Sequence, residues 1–166
     1  MAHQRPTRGK AGGAPERGAL KTPQASLEDL LKPPAEKVRY RLDGGALDAS
    51  LLDQQAQERA QEISEMDNTQ LRRFYSPVVA LRDRALARRT DAEEIKAELA
   101  LLKARIAYAR ARDNKRVPAQ FVRLITAHVS SIDSIDDFIA FARHFEAVVA
   151  YHRALAESAK KEQRHG

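Results

Sequence analysis

The chain contains no cysteine. This absence excludes disulfide frameworks, thiol catalysis, zinc knuckles and iron–sulfur ligation, and it is compatible with a reducing cytosol. No apolar run approaches the roughly 20 residues that a membrane-spanning helix needs. The N-terminus is basic, but no apolar stretch follows it as in a secretory signal. We therefore expect a cytoplasmic protein without membrane contacts.

Glycine and proline are also scarce beyond residue 45, where Pro77, Pro118 and Gly166 are the only examples. Alanine, leucine, arginine and glutamate dominate there, and all four favour helix. No segment alternates between apolar and polar residues with the period of two that a strand requires. The sequence predicts an all-α fold, a compact bundle of about five helices with a flexible N-terminal extension.

The extension is predicted to cover residues 1–47, and the helical bundle domain residues 48–166. Met1–Ala25 holds five basic residues, one acidic residue, four glycines and three prolines, a composition that buries too little surface to order a chain. Ser26–Lys32 can form one short helix before Pro33. A turn at Gly44-Gly45 then precedes the bundle.

Two features mark the first long helices of the bundle. Asn68 or Thr69 is the expected cap of a helix in which Pro77 interrupts the apolar pattern, so we expect a kink at that proline. A capping box that begins at Thr90 opens the most regular helix of the chain, which we expect to end at Asp113-Asn114.

Two further helices complete the predicted bundle. Pro118 suits the first turn of a short helix. Ser134 and Asp137 form a second capping pattern, which starts a long last helix. Its buried face is expected to hold an aromatic and aliphatic set, namely Phe138, Phe141, Ala142, Phe145, Val148, Val149 and His152.

The positive charge of the chain is concentrated in one periodic segment. Residues 69–116 hold thirteen basic and six acidic residues, a balance of +7, whereas the whole protein carries +6. Residues 48–67 hold six acidic residues and one basic residue. A folded basic surface of this kind indicates a polyanionic partner, and we expect this partner to be a nucleic acid backbone.

Helical spacing arranges these cations in two rows along the central helix. Lys103 and Arg110 follow one border of its apolar stripe, and Arg105 and Arg112 follow another, beside Tyr108. Basic rows with a tyrosine can neutralise phosphates and stack a base, although ordinary solvated flanks have the same pattern. The candidate RNA-binding residues are Arg72, Arg73, Lys103, Arg105, Tyr108, Arg110, Arg112, Lys115 and Arg116.

Catalysis has only one weak candidate. Arg123 and His128 have the R-x4-H spacing used by a class of helical, metal-free ribonucleases. His128 also falls on the apolar phase of its helix, so a buried structural histidine is the competing interpretation. His144, Glu146 and His152 lack the helical spacing of a metal site. We therefore predict no catalytic residue, no metal and no cofactor.

Three segments together resemble a known family: TQLRRFY (69–75), LKARIAYARAR (102–112) and DFIAFARHFEAVVAYHR (137–153). Their order and spacing are similar to those of the small subunit of type III-A (Csm) CRISPR effector complexes. The resemblance implies a non-catalytic helical bundle, several copies of which stack beside guide and target RNA. By this resemblance, Arg72, Arg73, Arg105 and Arg112 match basic positions of the family motifs, and Tyr108 matches its tyrosine. Ala111, where the family often has glycine, and Pro77 depart from the pattern.

The sequence thus predicts a non-catalytic, RNA-contacting small subunit of a type III-A interference ribonucleoprotein. Its expected partners are guide RNA, single-stranded target RNA, the backbone and large subunits, and further copies of itself. Two alternatives stay open at this point. One is a helical ribonuclease that uses Arg123 and His128, and the other is a pure protein–protein adaptor.

Overall fold

The computed structural model describes residues 25–165. Within that range the chain forms six α-helices and a single 3-10 turn, Ala49–Leu51, and it has no strand beyond one isolated bridge between Arg41 and Leu47. The prediction of an all-α bundle is therefore confirmed. The helices are α1 (Leu27–Leu31), α2 (Gln54–Glu62), α3 (Asn68–Leu86), α4 (Ala92–Arg112), α5 (Ala119–Val129) and α6 (Ile135–His165).

The long helix α6 is the centre of the bundle. Helices α2 and α3 both pack along it, whereas α4 and α1 pack against α5. Phe138, Phe141 and Phe145 of α6 are completely buried, and the rings of the last two stack with their centroids 5.7 Å apart. Phe121 brings α5 to the same cluster, 6.1 Å from Phe145. The predicted buried face of α6 is thus where the core lies.

The helix caps confirm one predicted capping box and place two other caps at a neighbouring residue. Ser134 and Asp137 form the predicted capping box, with the Asp137 amide donating to the Ser134 hydroxyl at 3.1 Å. The cap of α3 is Asp67 rather than Asn68 or Thr69, because its carboxylate accepts from two amides of the first turn. The cap of α4 is Asp91 rather than Thr90. Aspartate accepts such bonds as readily as serine or threonine, so each signal shifts by a residue.

Pro77 does not end its helix, which continues unbroken from Asn68 to Leu86. The proline lies on the exposed side, while Phe74, Val78 and Leu81 are buried on the other. Burial of this apolar face offsets the one backbone hydrogen bond that proline cannot donate. A continuous helix does not test the kink expected at Pro77, which stays a prediction.

Residues 25–47, here called the strap, pack against the bundle. Leu30 and Tyr40 are 1% and 4% exposed, and the backbone amide of Val38 donates to the Ser131 hydroxyl at 2.8 Å. Lys37 forms an ion pair with Asp133 at 2.6 Å. The prediction of a flexible extension needs correction for this part of residues 1–47, because two buried side chains anchor it. The domain division at residue 47 stays a prediction, and residues 1–24 lie outside the described range.

Among residues 25–165, none of the helices combines the length and the apolar composition that a membrane span requires.

The anchoring of the strap is testable by substitution. Leu30→Ala should lower the free energy of unfolding by about 2–5 kcal/mol, since it removes a buried side chain and leaves a cavity. Leu42→Ala is the matched control, because Leu42 belongs to the same strap but is 54% exposed, and its effect should stay within about 0.5 kcal/mol. Urea denaturation of both variants measures the difference. Equal effects would contradict the anchoring of the strap by Leu30.

Candidate nucleic-acid interface

A shallow concave surface lies between α3 and the C-terminal end of α4. We call it the basic depression, and its volume is about 530 Å³. Its apolar floor consists of Phe74, Ala109 and Val117. The polar and charged groups around this floor are Gln70, Arg73, Tyr108, Arg112, Asp113 and Arg116. Four of the nine candidate residues, on two helices and a loop, therefore meet at one surface.

The geometry inside the basic depression combines free cations with an exposed ring. Tyr108 is 66% exposed, and the guanidinium carbon of Arg112 lies 5.8 Å from the centre of its ring. Arg116 is held by Asp113 through an ion pair of 3.2 Å. Among the described residues, neither Arg73 nor Arg112 has an ion-pair partner. These two arginines are the cations best placed for an external anion.

Helix α4 directs its charged residues to two flanks because its apolar stripe faces inward. Leu102 and Ile106 are buried, whereas Tyr108 and Arg112 lie on the flank toward α3. Lys103 and Arg110 follow the opposite flank of the stripe, since successive residues turn by about 100°. The two predicted rows therefore do not form one continuous surface.

Arg110 has a local structural role on that opposite flank. Its guanidinium donates to the backbone carbonyls of Asn114 and Val117, at 3.0 and 2.5 Å. These bonds satisfy carbonyl groups in the loop that follows the last turn of α4. Arg110 is thus engaged in holding the loop, a use that charge spacing alone did not reveal.

The other candidates lie around the basic depression rather than in it. Arg105 is farther back along α4, beside Pro77 and Glu98. Arg72 lies on the α6 side of α3, near Arg153 and Glu157, so it diverges from its neighbour Arg73. Lys115 borders a separate recess with Arg110 and Leu27. Gln70 completes the basic depression but was missed, because an isolated glutamine carries no sequence signal.

Arg123 and His128 occur together at a second concave site, which we call the histidine cavity. It has a volume of about 580 Å³ and is bounded by the strap, α2, α5 and His144 of α6. His128 is 3% exposed, and its Nδ1 lies 2.9 Å from the hydroxyl of Tyr40. The buried-histidine interpretation is therefore confirmed for His128. Tyr40 was missed, although it is the only aromatic residue in the first 47.

The three buried histidines are held in the neutral state by burial. The pKa of His128 is lowered well below 6.5, first by desolvation and then by the neighbouring His144 and Arg59. Desolvation also lowers the pKa of His144, although its hydrogen bond to the Leu51 carbonyl opposes the shift. Desolvation lowers the pKa of His152 as well. Within residues 25–165, no group of three or more His, Asp and Glu could hold a metal ion.

Comparison with known proteins gives one family. Residues 46–158, more than half of the chain, match the family model described as Csm2 Type III-A. Neither the curated proteins nor the solved structures contain a match. The matched range includes α2 to α5 and most of α6, but it leaves out almost all of the strap.

The buried histidines predict a pH dependence of stability. Their pKa values are lower in the folded chain than in the unfolded chain, where the pKa of histidine is about 6.5. As the pH falls through this value, the unfolded state therefore binds more protons than the folded state. The free energy of unfolding should therefore fall between about pH 7.5 and 5.5, by up to about 1.4 kcal/mol per pH unit for each histidine.

Urea denaturation across this pH range measures the effect. His144→Gln should give a shallower pH dependence, because it removes one of the three groups while its amide can still donate to a carbonyl. A free energy of unfolding that stays constant or rises on acidification would contradict the assignment of neutral histidines.

Proposed function

The chain belongs to the Csm2 Type III-A family, the small subunit of the type III-A CRISPR complex, and from this premise we propose that its basic depression contacts single-stranded RNA. The proposed RNA is the guide or the target of the complex. Contact is made through the backbone phosphates and one stacked base, so it is tolerant of sequence.

The observation that carries this proposal is the meeting of three arginines and one exposed tyrosine at the basic depression. Arg73 and Arg112 approach from different helices and lack carboxylate partners among the described residues, so a phosphate need not displace an existing ion pair. The ring of Tyr108 offers a face to a base, as aromatic residues do at surfaces that bind single strands. Arg116 adds a third positive charge, which Asp113 partly offsets.

The remaining candidates are assigned lesser roles in the same proposal. Arg72, Lys103, Arg105 and Lys115 supply long-range positive potential around the path of the RNA. Arg110 acts on the loop after α4, whose carbonyl groups it binds.

The small subunit is proposed to act without catalysis in the cytoplasm. It assembles with the backbone and large subunits and with further copies of itself. Family membership favours this structural role over a ribonuclease that uses Arg123 and His128. The unpaired arginines of the basic depression favour RNA over a purely protein-binding adaptor, because guanidinium groups and an aromatic face suit phosphates and bases.

The electrostatic part of the proposal predicts a change in salt dependence. The double variant Arg73→Gln/Arg112→Gln should weaken binding of a labelled single-stranded RNA. It should also reduce the magnitude of the slope of log K against log salt concentration by about 1.4, because each neutralised phosphate on a single strand accounts for about 0.7. Fluorescence anisotropy at several salt concentrations measures both quantities.

The matched control is Arg143→Gln/Arg164→Gln, which removes the same charge from exposed positions on α6. It should leave the slope unchanged. A slope that is equal in the two double variants would show that net charge, and not the basic depression, governs binding.

The stacking part predicts a different signature at Tyr108. Tyr108→Ala should weaken RNA binding by about 1–3 kcal/mol, the usual contribution of one base stacked on an aromatic ring, without a change in the salt slope. Tyr108→Phe keeps the ring and should bind RNA nearly as the unmodified chain does. If both variants bind equally well, or if the alanine variant changes the slope, the ring does not stack a base.

A further inference from the structure

The histidine cavity contains two imidazole rings to which the proposed RNA contact gives no role. His128 and His144 lie side by side, with ring centroids 4.9 Å apart and an angle of 34° between the ring planes. Both are nearly inaccessible, at 3% and 2% exposure, and both line the cavity. Neither Nε2 atom hydrogen-bonds to a described residue, and neither is completely buried, unlike the unpartnered Nε2 of His152.

The hydrogen bonds on the other ring nitrogens fix the tautomer of His144 and allow both tautomers of His128. Nδ1 of His144 lies 2.5 Å from the carbonyl oxygen of Leu51, which can only accept, so the hydrogen is on Nδ1 and Nε2 is an acceptor. The hydroxyl of Tyr40 is 2.9 Å from Nδ1 of His128 and 3.5 Å from the His128 carbonyl. A hydroxyl can either donate to Nδ1 or accept from it, so this contact is compatible with both neutral tautomers of His128. Nε2 of His144 is therefore an acceptor, and Nε2 of His128 can serve a ligand as donor or as acceptor.

The charges that line the cavity leave a single cation unpaired among the described residues. Lys32 is paired with Asp29 at 2.8 Å, and Arg59 with Glu62 at 2.6 Å. Arg123 is exposed on α5 and has no ion pair or hydrogen bond with a described residue. A ligand that carries one anionic group would restore the charge balance at this position.

The strap forms one side of the cavity and is fixed there by a specific contact. Leu30, Pro33, Pro34 and Val38 form one of its walls, and Tyr40 anchors this wall through its hydrogen bond to His128. The volume of about 580 Å³ falls within the range of small-molecule sites, about 300–1,000 Å³.

We propose that the histidine cavity is a nucleotide-binding site. The nucleobase enters the cavity edge first and hydrogen-bonds to the Nε2 atoms of His128 and His144, and the phosphate binds Arg123. A nucleobase fits because it is planar and presents a hydrogen-bond donor and acceptor side by side. The nucleotide is either a free mononucleotide or a single nucleotide of an RNA strand turned out of its stack, since both carry the same base and phosphate.

The nitrogen resonances of the imidazole side chains report ligand binding in this cavity. In the full chain labelled with ¹⁵N, the four 5′-nucleoside monophosphates and a short single-stranded RNA are added separately while the side-chain nitrogen resonances are recorded. The resonances of His128 and His144 should shift as ligand is added and reach a plateau. Those of His152 should not shift, because it is buried elsewhere and bonded to Asn68 at 3.0 Å. Arg123→Gln should weaken mononucleotide binding by about tenfold, the usual effect of losing a hydrogen bond to a charged group.

The control variants separate this site from the basic depression. Arg143→Gln and Arg73→Gln/Arg112→Gln should show the same mononucleotide-dependent shifts of His128 and His144 as the unmodified chain, even if the latter has lost its affinity for long RNA. Saturable shifts with mononucleotides identify the free nucleotide as the ligand, and shifts only with the oligonucleotide identify a nucleotide within RNA. Both outcomes support the site.

Three results would overturn the proposal. One is the absence of shifts at His128 and His144 with either ligand. Another is equal shifts with inorganic phosphate alone, which would mean that no base is bound. The third is undiminished affinity in the Arg123→Gln variant.

Discussion

The burial of one aromatic face of α6 is the constraint on which the rest of this structure depends. Phe138, Phe141 and Phe145 are fully enclosed, and each remaining helix is positioned directly or indirectly by packing against this helix. Burying a phenylalanine side chain contributes about 1.5–3 kcal/mol, more than any single surface ion pair. The positions of the charged residues are therefore a consequence of how the apolar stripes meet. Arg73 and Arg112 come together because the stripes of α3 and α4 both turn inward, which leaves their flanks adjacent.

Much of the fold could be predicted from the sequence, because it follows from local periodicity. The stripe of α4 and the capping box at Ser134 depend on residues a few positions apart, and both are found as expected. Pro77 shows the limit of this reasoning, since its effect on the helix depends on how well the other face is packed. The strap shows a second limit. Leu30 and Tyr40 lie in a segment that contains several helix-breaking prolines and glycines. Their buried positions depend on contacts with bundle residues that are distant in sequence.

The candidate site could be predicted less completely than the fold. Spacing on α4 correctly separates two flanks, but it cannot tell which cations already have partners. Arg110 is held by two backbone carbonyls of a loop, and Arg72 and Arg73 diverge although they are adjacent in sequence. Likewise, the R-x4-H spacing places Arg123 and His128 at one cavity. It does not reveal Tyr40 or His144, which belong to other segments of the chain. Long-range neighbours decide the use of each charged group, and a linear pattern does not contain them.

The strap also bears on how the chain can be divided. It lies almost entirely before residue 46, where the match to the family begins, yet Leu30 covers part of the surface of the bundle and Tyr40 satisfies a buried imidazole. A protein shortened to the matched range would expose apolar surface that this chain keeps covered and leave Nδ1 of His128 without its partner. An exposed apolar patch of this kind favours aggregation. A recombinant chain that begins before Leu27 keeps these contacts, whereas one that begins at residue 46 loses them.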